Sequence, residues 1–240
     1  IGVVTCVYVN PETNQFWVID FRVYDPEGDE QSKINHMLEM LDNVLHTKQL
    51  SFMSVLMDTW YASVQVIKHI EALDKLYYCP IKTNRHVDDS NGEKKHQRVD
   101  RLTWTNKEEK QGKTIHLKKM PKGHRMKLFR LVLSNERTDY VITNDMTQND
   151  SDVVKAHCGV RWRIEQFHRE AKQVTGLEGC QCCLSRALRN DIACSFLVWV
   201  HLKRLATQLH TTIYQLKFGL LDDYMRQQLK HPAIPMRLCA

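Results

Sequence analysis

The segment RWRIEQFHREAK, residues 161–172, sets the carboxylate of Glu165 among three arginines, a histidine and a lysine. On a helix, which turns by about 100° per residue, four of its charged side chains fall within an arc of about 80° and form one stripe: Arg161, Glu165, Arg169 and Lys172. One interpretation is structural, because each i,i+4 ion pair on an exposed helix contributes roughly 0.2–0.5 kcal/mol. The other is catalytic, because a carboxylate that holds a divalent metal beside cations that hold phosphates is suited to attack on a nucleic-acid backbone.

A second candidate acid, Asp58, follows the apolar run LSFMSVLM of residues 50–57. That run predicts a short buried strand. Asp58 then lies at the carboxyl end of the strand, which is where open α/β sheets place their sites. The sequence therefore predicts two candidate carboxylates, one positioned by a strand and one by a helix.

Hydrophobic periodicity predicts the elements around these acids. Residues 1–10 and 16–25 flank the turn PETNQ and predict a hairpin of two strands. A helix within residues 32–50 follows, and beyond Asp58 the spacing of residues 66–73 predicts another helix ahead of a strand over residues 76–82. The order β-β-α-β-α-β predicts a mixed sheet with helices packed on it.

The middle of the chain is predicted to be a β-rich insertion. From residue 84 to residue 150 polar turns alternate with the strand patterns KTIHLKK, MKLFRLVLS and DYVITND, and from residue 151 onward the chain is mostly helical. In the helix that carries Glu165, the predicted buried face consists of Val160, Ile164, Phe167, Ala171 and Val174. We therefore expect three segments: 1–83 as the first part of an α/β core, 84–150 as a basic inserted β region, and 151–240 as the helical remainder.

The positive charge is concentrated in that insertion. The chain carries a formal net charge of +6, and between Lys110 and Arg130 there are eight Lys or Arg residues and no Asp or Glu. A local basic segment in an otherwise balanced chain is typical of a surface that binds a polyanion. The candidates for phosphate contacts in it are Lys118, Lys119 and Lys122. The alternative is a solvated face of a hairpin without a partner.

The composition excludes several other classes of protein. With 240 residues, 42% of them hydrophobic, the chain can bury a core, and it contains no apolar run long enough to span a membrane. Its eight cysteines are scattered, which fits reduced thiols in a cytosolic protein better than a disulfide scaffold. The cluster CQCC, with Cys180, Cys182 and Cys183, invites a zinc site, but adjacent cysteines do not readily reach one tetrahedral ion together.

The spacing from Arg161 through Glu165 to Lys172, followed by TGLEG, resembles the Y-x2-R-x3-E-x6-K signature of DDE transposases of bacterial insertion sequences. The stretch VLMDTWYAS, which contains Asp58, resembles the second catalytic aspartate of that family at the end of its strand. The resemblance covers most of the chain. It implies an α/β fold of the RNase H-like type: a mixed sheet flanked by helices, with a β-rich insertion before the helix that carries the last catalytic carboxylate.

The resemblance also implies an activity. Asp58 and Glu165 would be catalytic carboxylates that bind Mg²⁺, with Mn²⁺ as a substitute, in metal-dependent cleavage of element ends and transfer of the 3′-hydroxyl strand into target DNA. Arg161 and Lys172 would position phosphates, with Arg169 as a weaker candidate. The partners would be DNA and a second copy of the chain in a synaptic dimer, without a membrane, in the bacterial cytoplasm at the nucleoid.

The family suggests one aromatic contact to DNA as well. Relatives that open a DNA hairpin stack a tryptophan of the insertion on a flipped base, and Trp104 lies in the corresponding region. An aromatic platform for a base is physically sensible. The alternative for Trp104 is packing against the core or at its edge.

The chain departs from the family pattern at two places. Cys158 stands where the signature has a tyrosine, and the first catalytic aspartate is expected on a strand ahead of Ile1, so that residues 1–240 alone are expected to be inactive. Asp20 is the nearest substitute, but a mid-strand aspartate is expected to face outward or to be hydrogen-bonded. Two alternatives stay open: an RNase H-like nuclease without strand transfer, and an inactive remnant that only binds DNA.

Overall fold

The structure, a computed structural model, describes residues 2–25, 28, 31–133, 137–181 and 184–231. The described strands are β1 (Gly2–Asn10), β2 (Gln15–Tyr24), β3 (Ser54–Leu56), β4 (Leu76–Ile81), β5 (His86–Asp88), β6 (Gln97–Arg98), β7 (Lys113–Leu117), β8 (Met126–Val132) and β9 (Thr138–Thr143). The described α-helices are α1 (Lys33–Asp42), α2 (Val64–Ala72), α3 (Asn106–Gln111), α4 (Ser151–Val160), α5 (Trp162–Thr175), α6 (Ser185–Gln208) and α7 (Ile213–Lys230).

Seven of the described strands form one mixed sheet in the order β3-β4-β9-β8-β7-β5-β6. The β3–β4 pair is parallel, with Leu56 beside Tyr78, and the other pairs are antiparallel. The two candidate segments, the early core strands and the β-rich insertion, therefore share a continuous sheet. The division of the chain into segments 1–83, 84–150 and 151–240 stays a prediction.

Side chains of the sheet alternate between two apolar clusters. On β4, Tyr77 and Cys79 belong to the larger cluster, whereas Tyr78 belongs to the smaller one. Helix α2 packs on the larger cluster with the fully buried Val66 and Ile70, as its periodicity predicted. Helix α4 contributes Val154 to the smaller cluster on the other face. Helices thus cover both faces of a mixed sheet, which confirms the predicted fold class.

The hairpin of β1 and β2 differs from the prediction. It was expected to join the mixed sheet, but among the described residues its two strands pair only with each other. Asp20 of β2 accepts a hydrogen bond of 2.8 Å from the side-chain amide of Asn43 and pairs with Lys48 at 3.2 Å. Asn43 begins and Lys48 ends the π-helical turn that continues α1. Side-chain contacts to this turn, instead of a strand ladder, fix the position of β2.

The chain divides into two compact units, residues 1–14 with 19–162 and residues 15–18 with 163–240. The first contains the mixed sheet. In the second, α5, α6 and α7 pack with a short piece of β2. Phe167 of α5 meets Trp199 of α6 edge to face, with 4.8 Å between the ring centroids, and Phe16 lies 5.9 Å from the same indole.

The single helix predicted around Glu165 is divided in the structure. Helix α4 ends at Val160, Arg161 caps it, and α5 begins at Trp162. Three residues of the predicted buried face, Phe167, Ala171 and Val174, are buried, whereas Ile164 on α5 and Val160 at the end of α4 are only partly buried.

Candidate functional site

Asp58 directly follows the buried Met57 at the carboxyl end of β3. Its side chain caps a short 3₁₀ turn, Thr59–Tyr61, by accepting a 2.6 Å hydrogen bond from the N–H of Thr59 at Oδ1. In the described part of the chain no hydrogen bond or ion pair reaches Oδ2. Asp58 is exposed. One oxygen thus orients the carboxylate while the other is available to a ligand.

The segment after Asp58 is held in place by a hydrogen bond from Arg85, which follows β4. A guanidinium N–H of Arg85 donates to the carbonyl oxygen of Ala62 at 3.2 Å. Burial, followed by the charge of Asp58, raises the pKa of Tyr61, so this phenol is protonated at neutral pH. Asp58 therefore stands on a short, well-supported turn instead of a long loop.

Glu165 lies half-buried in the first turn of α5, where a negative charge interacts favourably with the helix dipole. His168 is next to it on the same helix. Burial lowers the pKa of His168, and the charge of Lys172 lowers it further, against the opposing effect of Glu165. The imidazole is therefore neutral at neutral pH and adds no positive charge to the stripe of Glu165, Arg169 and Lys172.

Lys172 is engaged in a local ion pair. Its ammonium lies 2.6 Å from Oε1 of Glu178, the glutamate of TGLEG, and the two side chains are 48% and 69% exposed. Ion pairs between exposed side chains contribute about 0–1 kcal/mol. A phosphate that approaches Lys172 therefore displaces Glu178 at little cost.

Arg161 lies at the junction that follows α4, where its backbone N–H donates to the carbonyl oxygen of Cys158 at 3.1 Å. Cys158, at the signature's tyrosine position, packs against the smaller apolar cluster of the sheet. Burial raises the pKa of its thiol to about 11, although Arg161 acts in the opposite direction. Cys158 is thus a protonated packing residue and takes no nucleophilic role.

Trp104 packs against the larger core cluster, and the ammonium of Lys113 lies 5.5 Å from the centroid of its ring. Its indole N–H is buried and, among the described residues, meets no acceptor. One face of the ring is thus covered by a cation and another part by the core. This arrangement favours packing over base stacking, although stacking stays a prediction.

The basic segment of the insertion does not form one surface. Lys113 is 8% exposed and is paired with Asp89 and Glu108, both at 3.0 Å. The ammonium of Lys127 is buried among the carbonyl oxygens of Gln111 and Gln148 and the amide oxygen of Asn149. These two lysines stabilise the fold and are not available to a polyanion.

Lys118, Lys119 and Lys122 are exposed on the turn between β7 and β8. The turn is fixed at its base, because the ring of His124 bonds Glu71 at 2.9 Å and the buried Met120 anchors its middle. Glu71 lies in the last turn of α2, whereas Asp58 precedes the first turn of that helix. The turn that carries the three lysines is therefore fixed against the last turn of α2.

Two further acids, Asp20 and Glu170, have structural roles. Asp20 is 9% exposed, and all of its described contacts are to Asn43, Lys48, Arg22 and the backbone of Phe21. Glu170, a second carboxylate of the opening segment that the sequence interpretation passed over, is 3% exposed and accepts from the indole N–H of Trp199. Glu170 lies on the same helical face as Phe167 and Val174, so the periodicity already placed it inward.

No group of three or more His, Cys, Asp or Glu side chains within the described residues is arranged to hold one metal ion. Cys182 and Cys183 of the CQCC cluster lie outside the described residues. In the same described part of the chain, none of the helices has both the length and the apolar character that crossing a bilayer requires.

A mixed sheet covered by helices on both faces, with antiparallel strands inserted ahead of the helix that carries a second candidate carboxylate, defines an RNase H-like α/β protein. Residues 3–200 match the model of the transposase DDE domain, and the chain belongs to this family. No curated protein matches the chain. Members of the family are transposition enzymes that act on DNA and generally use divalent metal ions.

Proposed function

We propose that this chain is the catalytic core of a cut-and-paste DNA transposase, which cleaves the ends of its element and joins each freed 3′-hydroxyl to target DNA. Membership of the DDE family over residues 3–200 supports the class of reaction. The structural observation that carries the proposal is Asp58, an exposed carboxylate at the carboxyl end of β3 with one oxygen fixed by the N–H of Thr59.

Asp58 and Glu165 are the proposed metal-binding carboxylates. Their donor type fits Mg²⁺, which prefers carboxylate oxygens and keeps several of its waters, so that a few protein ligands suffice. Mn²⁺ is accommodated by the same oxygen donors. When bound in pairs, such ions activate the attacking water or hydroxyl and stabilise the leaving oxygen. The N–H of Thr59 holds the carboxylate of Asp58 in one orientation throughout.

Cations on and beside α5 bind phosphates next to Glu165 in this proposal. Lys172 exchanges the carboxylate of Glu178 for a phosphate oxygen, which is a favourable exchange because the existing pair is exposed. Arg169 is exposed on the same helix, and Arg161 lies at its start. Their role is to position the backbone and not to transfer protons.

The turn with Lys118, Lys119 and Lys122 binds the backbone of duplex DNA in this proposal. Its three lysines are exposed, and the turn is fixed against the last turn of α2. Such contacts fix the register of a duplex without reading its sequence. A second copy of the chain would hold the second element end in a synaptic homodimer.

The experiment that tests the proposed function is a joining assay in Mg²⁺. The chain is produced together with any residues that its reading frame encodes ahead of Ile1, and it is incubated with a labelled element end and a supercoiled plasmid. The expected product is label joined covalently to the plasmid. Hydrolysed ends without joined product would overturn strand transfer and leave a nuclease. Binding without cleavage would leave a DNA-binding remnant.

A further inference from the structure

A cleft of about 710 Å³ opens at the sheet edge on which Asp58 lies. Thr59, the residue after Asp58, forms part of its wall. The remaining wall comes from the carboxyl end of β4 with the residues after it, from Arg98 on β6, and from the start of β9. The parallel pairing of β3 with β4 explains the juxtaposition, because the carboxyl ends of both strands reach the same edge.

The wall after β4 is preformed. The N–H of Arg85 donates to the carbonyl oxygen of Lys82 at 3.0 Å and closes a turn. Two backbone bonds join this turn to the chain after β6, from Asp100 to Thr83 at 3.3 Å and from Val99 to Arg85 at 2.9 Å. A ligand therefore meets a cleft whose backbone is already ordered, so that little ordering entropy opposes binding.

Three cations line the cleft. Lys82 is exposed, and no acid lies within ion-pairing distance of it among the described residues. Arg98 is held by Asp100, and Nε of Arg137 lies 2.9 Å from Asp139. The side chain of Arg137 is 69% exposed while it is paired with Asp139, so an anion in the cleft can approach its guanidinium.

The other polar groups of the wall are hydroxyls and an amide, from Thr59, Thr83, Thr138 and Asn84. None of the described lining residues is aromatic. Cations with hydroxyl donors suit phosphate oxygens, whereas unpaired bases are bound by stacking on aromatic rings. The volume is that of a small-molecule pocket and is too small for a duplex. The lining groups therefore favour a short stretch of single-stranded nucleic acid, bound through its phosphates.

We propose that this cleft binds the phosphates of a single DNA strand as it passes Asp58, and that it does so without reading bases. The inference rests on the proposed function, since it names how that same site receives its substrate. Lys82 and Arg137 are the main contacts. The turn of residues 82–85 positions Lys82, and Asp139 holds Arg137.

The test measures binding of the chain to fluorescent single-stranded oligonucleotides over a range of salt concentrations. Each phosphate contact contributes about 0.7 to the slope of log K against log salt for a single strand. Lys82→Ala and Arg137→Ala should each lower the slope by about 0.7 and weaken binding about fivefold at 0.1 M salt. The matched control is Lys68→Ala, an exposed lysine on α2, which should change neither value.

An unchanged slope in both cleft variants, or an equal change in the Lys68 control, would overturn the proposal. A strong preference among oligo-dT, oligo-dA and oligo-dC would also overturn it, because a backbone cleft without aromatic residues does not discriminate bases. Lys82→Gln repeats the test with a side chain of similar length, so a loss that appears only with alanine reports packing and counts against a phosphate contact.

Failure of the cleft is distinguishable from failure of the catalytic proposal. In the protein used for the joining assay, Asp58→Asn should abolish cleavage and leave the salt slope for single strands unchanged. If cleavage survives in Asp58→Asn while Lys82→Ala still lowers the slope, the cleft stands and the catalytic assignment fails. If Asp58→Asn abolishes cleavage while Lys82→Ala has no effect on the slope, the catalytic assignment stands and the cleft fails.

Discussion

The indole N–H of Trp199 donates to Oε2 of Glu170 at 3.0 Å, and this bond joins α6 to α5 in the interior of the second unit. The ammonium of Lys203 completes the arrangement at 3.1 Å from the same oxygen. It also lies 4.2 Å from the centroid of the Phe16 ring. Glu170 is therefore a buried, fully partnered carboxylate, in contrast to the half-buried Glu165 on the same helix.

Glu170→Ala should strongly destabilise the protein, because it leaves the mostly buried Lys203 and the indole of Trp199 without their acceptor. Breaking a buried pair by removing one partner costs about 3–5 kcal/mol. The free energy of unfolding is measured in urea by tryptophan fluorescence. Glu178→Ala, which removes an exposed carboxylate, is the control and should cost less than about 1 kcal/mol. Equal effects of the two changes would contradict the assignment.

Asp20→Asn should reduce the dependence of stability on acid pH. Burial acts to raise the pKa of Asp20, but hydrogen bonds from Asn43 and Lys48 and the charge of Arg22 hold it below its usual value. A carboxyl whose folded pKa is depressed contributes stability above its unfolded pKa, and this contribution is lost as pH falls through the folded pKa. Thermal unfolding between pH 7 and acid conditions should therefore be flatter in the variant. Asp74→Asn, at an exposed position, should leave the curve unchanged.

Replacing Lys118, Lys119 and Lys122 together by glutamine should weaken binding to duplex DNA. Each lost phosphate contact should lower the magnitude of the salt slope by about 0.9. Binding is measured by anisotropy with a duplex at several salt concentrations. The control is the single change Lys107→Gln on α3, which is exposed but lies outside this turn. A triple variant with the slope of the unchanged protein would show that the turn is a solvated face.

Glu178→Gln should release Lys172 and leave DNA binding equal or tighter, whereas Lys172→Gln should weaken it. The reason is that Glu178 competes with phosphate for the same ammonium at 2.6 Å. Both variants should keep the stability of the unchanged protein within about 1 kcal/mol, since the pair is exposed. Weaker binding in both variants would indicate that the ion pair itself builds the DNA surface.

Local patterns predicted most of the elements that position the candidate site. The apolar run before Asp58 became β3, and the alternation in KTIHLKK became β7 with Ile115 and Leu117 fully buried. The same alternation places Lys113 on the face of those residues, so the pattern contained the signal that this lysine is buried. The count of basic residues between Lys110 and Arg130 did not reveal that Lys113 is buried, because a count does not distinguish the two faces of a strand.

Long-range relationships were less accessible. The partners of Asp20 come from residues after α1, which are distant in sequence. Hydrophobic periodicity indicates that a segment is a strand, but it does not indicate which other strand pairs with it, so the separate pairing of the β1–β2 hairpin was not predicted. Likewise, the sequence did not indicate Lys82 as a phosphate contact, because its place in one cleft with Thr59 depends on the pairing of β3 with β4. The apolar spacing predicted one helix that contains both Val160 and Glu165, whereas in the structure α4 ends at Val160 and α5 begins at Trp162.

The most direct test of the catalytic assignment is cleavage of a labelled element end in Mg²⁺. The protein is the chain together with any residues that its reading frame encodes ahead of Ile1. The variants Asp58→Asn and Glu165→Gln are compared with the control Asp74→Asn. The assignment predicts that both carboxylate variants lose cleavage at least 100-fold, as expected when a metal ligand is removed, while they bind the DNA normally. It also predicts that chelation of the metal abolishes cleavage by the unchanged protein. Retained cleavage in either carboxylate variant would remove that residue from the site and contradict the assignment.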